Sequence, residues 1–168
     1  MTTLRTKEGY HKQIYDFIKD IYVFCPSCEG KAIIKTPDFS FGKKNEKEIK
    51  LICAKCGYNK RLEEKSDLIL HSSPNKVILG KYLIVGGVVD PYFHLPLWLT
   101  INCCDNILWA YNYDHLNFLY EHVKAKLRER NTQEMPNKSI GSRLPKWMTS
   151  KKNRETILKT LTQLKSKC

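Results

Sequence analysis

The chain has 168 residues and a formal net charge of +12, from 29 lysine and arginine against 17 aspartate and glutamate side chains. Hydrophobic residues make up 42% of the chain, which is typical of a globular protein with a buried core. No stretch approaches the roughly 20 consecutive apolar residues of a membrane-spanning helix, which excludes an integral helical membrane protein. The first residues contain no apolar signal sequence, so we expect a cytoplasmic protein without a membrane partner.

The first 24 residues are predicted to form an N-terminal helix. From residue 6 to residue 22, apolar side chains recur at steps of three and four, as on one face of a helix: Tyr10, Ile14, Phe17, Ile18 and Ile21. We expect this face to pack against the core.

Two CxxC pairs follow, Cys25 with Cys28 and Cys53 with Cys56. Two intervening residues let the backbone turn tightly, so that both sulfurs of a pair face one point, and four thiolates complete the tetrahedral coordination of a structural Zn²⁺. A disulfide framework is the alternative, but it needs an oxidising compartment, and seven cysteines are an odd number. The pattern therefore predicts a structural zinc ion.

The 24 residues between the pairs are predicted to form a hairpin with strands at 31–35 and 48–52. Gly30 and Gly57 follow the two turns, where a left-handed backbone suits glycine. Basic side chains mark the hairpin tip: Lys43, Lys44 and Lys47. With its "CPSCEG" and "CAKCGY" turns, the segment to about residue 61 resembles the zinc ribbons of transcription factors, RNA polymerase subunits and small bacterial proteins.

A nearly uncharged antiparallel β region is predicted after a turn at residues 72–75, with a strand at 77–85. Strands at 98–104 and 107–111 flank Asp105 and Asn106, which are typical of a type I′ hairpin turn. Pro91 and Pro96 frame an aromatic segment that runs into the first of these strands. Its aromatic residues are predicted as an alternative, protein-binding surface: Tyr92, Phe93 and Trp98.

Cys103 and Cys104 are candidates for a nucleophile, with Asp90, His94 or His115 as partners. Adjacent side chains in a strand point to opposite faces, so we expect at most one of the two thiols to face any site. No catalytic motif accompanies them, and the sequence favours a protein without catalytic residues.

The C-terminal third carries 13 basic and 5 acidic side chains from residue 113 onward. One helix is predicted from about Tyr113, with an apolar stripe from Leu116 to Leu127 and Asn112 or Asp114 as its N-cap, and a last helix is predicted from about Asn153. Before it, residues 142–154 combine cations with an indole and favour contact with phosphates: Arg143, Lys146, Trp147, Lys151, Lys152 and Arg154. Alternatively, Trp147 and its apolar neighbours anchor this segment to the core while the cations stay hydrated.

These elements predict an α+β fold with three parts, an N-terminal helix at 1–24, a zinc ribbon at 25–65 and an α+β domain with basic C-terminal helices at 75–168. The stretches "DPYFHLPLWL", "CCDNILWAYN", "HLNFLYEHV" and "SRLPKWM" resemble a group of small bacterial zinc-ribbon proteins, which implies one integrated unit from about 86 to 165. The charge favours DNA or RNA as the partner, because a basic surface gains affinity by releasing counterions from phosphates. A protein partner is the alternative.

Overall fold

A computed structural model describes residues 12–37, 48–63, 68–73, 76–80, 83–125 and 139–168. The strands, in chain order, are β1 (Ile21–Phe24), β2 (Lys31–Lys35), β3 (Lys50–Ile52), β4 (Asn59–Arg61), β5 (Leu68–Ser73), β6 (Lys76–Gly80), β7 (Leu99–Cys103) and β8 (Asn106–Ala110). The α-helices are α1 (Tyr113–Lys124), α2 (Ile140–Arg143), α3 (Lys146–Thr149) and α4 (Arg154–Lys165). Two 3₁₀ turns, Ile14–Phe17 and Lys151–Asn153, complete the described elements.

The predicted hairpin belongs to a four-stranded antiparallel sheet in the order β1-β2-β3-β4, which we call the ribbon sheet. On β2, Ala32 and Ile34 are buried while Lys35 is exposed, as expected for a strand with one face on a core. Strand β3 begins at Lys50 rather than at the predicted residue 48.

The prediction of a helix through residue 22 is wrong for the described residues. Only a 3₁₀ turn forms at Ile14–Phe17, and Ile21–Phe24 is a strand. Asp20 lies in the left-handed region with φ of 52°, which ends any helix before the strand. Ile21 and Val23 are fully buried on alternate positions, so pairing with β2 determines the structure here and the helical spacing does not. Residues 1–11 lie outside the described part.

The central region contains two separate antiparallel hairpins, β5 with β6 and β7 with β8. Ser72 and Ser73, predicted as part of a turn, are the last residues of β5, and residues 74 and 75 lie outside the described part. The predicted strand at 77–85 ends at Gly80 in the described residues. The β7–β8 turn is displaced by one residue from the prediction. Its two central residues are Cys104 and Asp105, with φ of 52° and 57°, and Asn106 is already paired with Cys103.

Helices α1 and α4 cover the β7–β8 hairpin and enclose the second of two hydrophobic cores. Its buried side chains include Leu99, Leu108, Leu116, Leu119, Val123, Ile157, Leu161 and Leu164. Asn112 is the N-cap of α1, as predicted, and its Oδ1 accepts from the backbone N–H of His115 at 2.9 Å. None of the helices in the described residues has the length and apolar character needed to cross a bilayer.

The first core lies under the ribbon sheet and reaches into the rest of the chain. It contains Ile21, Ile34 and Leu51 from the strands together with Leu97 and Tyr111. Val23 forms an isolated antiparallel bridge with Leu97, next to a hydrogen bond from Phe24 N–H to the carbonyl of Pro96 at 3.0 Å. Strand β1 is therefore held on one side by β2 and on the other by the segment that precedes β7.

Candidate functional site

The four predicted cysteine ligands meet at one end of the ribbon sheet. One turn joins β1 to β2 and carries Cys25 and Cys28, and the other joins β3 to β4 and carries Cys53 and Cys56. Because neighbouring strands are antiparallel, both turns lie at the same end of the sheet. All four Sγ atoms lie within 4.8 Å of one another.

The two turns, which we call the knuckles, have the same backbone hydrogen bonds. In the first, Cys25 N–H donates to the Gly30 carbonyl at 2.7 Å and Glu29 N–H donates to the Cys25 carbonyl at 3.0 Å. In the second, Cys53 N–H donates to the Tyr58 carbonyl at 2.8 Å, while the Gly57 N–H closes the turn onto Cys53 at 3.0 Å. The chain thus builds one ligand-presenting turn twice.

The left-handed position is the fourth residue after the first cysteine of each knuckle. It is Gly57 in the second knuckle, as predicted, but Glu29 in the first, where φ is 55°. The prediction for Gly30 is wrong in its conformation. A Cβ at Gly30 would lie 2.9 Å from Lys55 Cδ and 3.3 Å from Cys28 Sγ, so a side chain there would displace the flexible Lys55 side chain and crowd one of the four sulfurs.

The distances between sulfurs fit a tetrahedral thiolate site. Cys25 Sγ lies 3.7 Å from Cys56 Sγ, and Cys28 Sγ lies 3.7 Å from Cys53 Sγ. A zinc ion with Zn–S bonds near 2.3 Å sets the edge of its sulfur tetrahedron at about 3.8 Å. None of the four forms a disulfide. The group could therefore hold a metal ion, and four thiolates leave no open position for a substrate.

Two of the four thiols, those of Cys28 and Cys53, differ in how readily they ionise. The backbone N–H of Cys56 holds the pKa of the Cys53 thiol at about 7, below its ordinary value. Although the N–H of Gly30 acts to lower the pKa of Cys28, desolvation and the three neighbouring sulfurs raise it to about 12. Four thiolates this close repel one another, and a divalent cation allows all of them to ionise together.

The vicinal thiols Cys103 and Cys104 contradict the expectation that they face opposite ways. Their Sγ atoms lie 3.7 Å apart, because Cys104 belongs to the left-handed turn rather than to the strand. Cys103 is buried, and burial raises the pKa of the Cys104 thiol. The candidate partner Asp90 is engaged elsewhere, since its carboxylate accepts the backbone N–H groups of Tyr92, Phe93 and Leu95.

The C-terminal cations predicted to contact phosphates are at the surface. Arg143, Lys146, Lys151 and Lys152 are exposed, and Arg154 is half-buried at the start of α4. Trp147 is half-buried and packs against the second core beside the buried Met148, so the indole anchors the segment and stays partly exposed. Three further predicted contacts lie outside the described residues: Lys43, Lys44 and Lys47.

The aromatic segment predicted as an alternative protein-binding surface packs inward. Tyr92 and Phe93 are half-buried against the first core, and burial raises the pKa of Tyr92 to about 12. Trp98 lies against Phe24 with ring centroids 4.9 Å apart, and its indole N–H donates to the Lys167 carbonyl at 3.1 Å. These rings are part of the fold of the protein.

Sequence reasoning missed a cleft between the first 3₁₀ turn, β8, α1 and the α2–α3 segment. Its wall includes the side chains of Tyr15, Trp109, His115 and Trp147. One signal was available, because His115, Phe118, Leu119 and His122 repeat at helical spacing and mark a second face of α1.

Comparison with protein families, curated proteins and solved structures finds no match to this chain. The site must therefore be interpreted from its own residues.

Proposed function

We propose that this chain is a zinc-stabilised protein without catalytic residues that binds nucleic acid through residues 142–154, the basic segment. One observation carries the proposal. From residue 139 to the last residue the chain has eight basic side chains and a single acidic one, Glu155. Four of the five cations of the basic segment are exposed, where they can meet phosphates without losing an internal role.

The backbone of the basic segment supports this function because it is anchored and not a free tail. The segment runs through α2, α3 and a 3₁₀ turn before α4 begins. Met148 is buried, and the amide of Asn153 donates to the Trp147 carbonyl at 3.0 Å. Such anchoring fixes the spacing of the cations, so less conformational freedom is lost when a charged strand binds.

The zinc ion would act on this surface indirectly. Four thiolates leave it no catalytic role, and its effect is to stabilise the ribbon sheet against the core. Lys43, Lys44 and Lys47, which lie outside the described residues, are predicted from the sequence as a basic tip, and we propose them as a second contact with phosphates.

The proposal is tested by titrating labelled single-stranded DNA, double-stranded DNA and RNA with zinc-loaded protein at two salt concentrations. We expect binding that weakens with salt, and a loss of about 10- to 100-fold for the double variant Lys151→Glu, Lys152→Glu, together with a shallower salt dependence. The control is Lys60→Glu, Lys76→Glu, which changes the net charge equally at exposed positions outside the segment.

Two results would contradict the proposal. One is wild-type protein that binds none of the three nucleic acids even at low salt. The other is an equal loss of affinity in the test and control variants, because the loss would then follow from the net charge and not from a site.

A further inference from the structure

The cleft beside α1 has the size and lining of a small-molecule site. Its volume is about 820 Å³, within the range of roughly 300 to 1,000 Å³ that ligand pockets occupy. Three aromatic side chains, Tyr15, Trp109 and Trp147, contribute to a wall that is otherwise mostly aliphatic. Such a wall suits a flat ring, because aromatic faces stack on one another without a strict requirement for direction.

One buried histidine of the wall, His115, has a ring nitrogen without a hydrogen-bond partner in the described residues. His115 is buried, stacked on Phe17 with ring centroids 4.8 Å apart and edge-on to Trp109 at 5.4 Å. Its Nδ1 accepts the backbone N–H of Tyr111 at 3.3 Å, which places the proton of the neutral ring on Nε2. Within the described residues that Nε2 has no hydrogen-bond partner. This atom has less than 1 Å² of accessible surface, so an acceptor reaches it only when the side chains around it move.

Three other polar side chains that line the cleft are at least partly exposed. Arg143 and Asn106 line the cleft and are exposed, and Gln13 is half-buried there. Within the described residues, Arg143 makes no ion pair with an acidic side chain. Its exposed guanidinium lines the cleft, and its planar fork of donors suits a phosphate.

We infer that this cleft binds a nucleotide, with the base against the aromatic wall that His115 supports from behind and the phosphate at Arg143. A nucleotide combines the flat ring and the anion that these groups suit. The inference extends the proposed function. It rests on that function for one of two sources of the nucleotide, a strand held by the basic segment. A free mononucleotide is the other source.

The test is calorimetric titration of zinc-loaded, full-length protein with AMP and UMP, with adenosine and inorganic phosphate as partial ligands, and with short single strands. We expect the nucleotides to bind about tenfold or more tightly than either partial ligand, since each of those lacks one of the two contacts. Arg143→Gln should remove that advantage. Lys159→Gln removes the same charge from an exposed position outside the cleft wall and should not.

A second variant, Leu144→Trp, enlarges a half-buried side chain of the wall and should block the cleft without removing charge. Its melting temperature is compared with that of the wild type so that misfolding is recognised. Loss of mononucleotide binding in this variant supports the free ligand as the source. Loss of single-strand binding in this variant, with Lys159→Gln unaffected, supports a base within a strand.

The inference is overturned if neither mononucleotides nor strands respond to Leu144→Trp, because Arg143 also belongs to the basic segment and the proposed function alone predicts that strands respond to Arg143→Gln. Strands that still bind in these variants, and that are lost only in Lys151→Glu, Lys152→Glu, would leave the proposed function intact and remove the cleft from it. Mononucleotides that bind in the cleft when no strand binds would support the cleft and contradict the proposed function.

Discussion

The backbone N–H of Tyr22 donates to the carbonyl of Tyr111 at 2.7 Å, which ties the first strand of the ribbon sheet to the residue that follows β8. The carbonyl of Tyr22 accepts in turn from the Trp98 N–H at 2.9 Å. Strand β1 therefore belongs to the ribbon sheet and to the C-terminal half at once. A change in the structure of the cysteine knuckles is therefore connected, through the hydrogen bonds of β1, to the core that supports α1 and α4.

The left-handed residue of each knuckle gives a pair of opposite predictions. Glu29→Gly should raise the free energy of unfolding by about 0.5 to 1 kcal/mol, because glycine adopts a positive φ without the clash of a Cβ. Gly57→Ala should lower it by about 1 kcal/mol or more. No atom lies within 4 Å of a Cβ at Gly57, so the backbone alone is responsible. Chemical denaturation of the zinc-loaded variants measures both, and changes of the same sign would refute the matched geometry.

His115 predicts a dependence of stability on pH. Burial lowers its pKa in the folded protein to about 3 from an ordinary value of 6.5. Between these values the unfolded chain binds a proton that the folded chain does not, so stability declines as the pH falls below about 6.5. The contribution is fully present above that pH, and the slope from this one group is at most about 1.4 kcal/mol per pH unit.

The corresponding experiment compares the wild type with His115→Gln by urea denaturation at pH 7, 6 and 5. The difference between the two proteins cancels the protonation of the cysteine ligands, which both share. We expect the variant to gain stability relative to the wild type as the pH falls. A difference that stays constant from pH 7 to pH 5 would show that His115 titrates normally in the folded protein.

Asn112 connects the start of α1 to the first 3₁₀ turn. Besides capping α1, its side-chain amide donates to the carbonyls of Phe17 and Lys19. Asn112→Ala should therefore cost more than the roughly 1 kcal/mol of a lost N-cap, since it also leaves two carbonyls without a donor.

Asn112→Asp is the matched variant, because it keeps the capping oxygen and loses only the amide donors. Because a carboxylate oxygen then faces the two carbonyls, we expect it to be less stable than the wild type in thermal or chemical denaturation at neutral pH. A cost for Asn112→Ala no greater than that of a surface cap would mean that the amide contacts contribute nothing.

The sequence predicts the four-cysteine knuckles well because the geometry of each turn is local. The cysteine spacing determines each turn. Between the two knuckles, Lys31–Lys35 is a strand whose side chains alternate in burial. The N-terminal helix is mispredicted because Phe17, Ile18 and Ile21 fit a helical spacing, whereas the bonds that decide the structure come from β2 and from residues after 95. Such partners cannot be identified from a local window.

The sequence misplaces the β7–β8 turn and does not reveal the cleft, for two different reasons. Asp105 and Asn106 are favourable turn residues, but pairing of Cys103 with Asn106 moves the turn onto Cys104, which brings the two thiols together. The cleft draws Tyr15, Trp109 and Trp147 from segments far apart in the chain. Their proximity follows from the assembled fold, which no local pattern contains.

The metal content of the purified protein, determined by elemental analysis alongside unfolding measurements with and without a chelator, tests the central claim most directly. The account predicts about one zinc ion per chain in the wild type and in Cys168→Ser, which changes an exposed cysteine outside the cluster. Cys28→Ser should lose the metal and several kcal/mol of stability, because metal binding and folding are linked in such sites. Metal-free wild-type protein whose melting curve does not change with chelator would contradict the account.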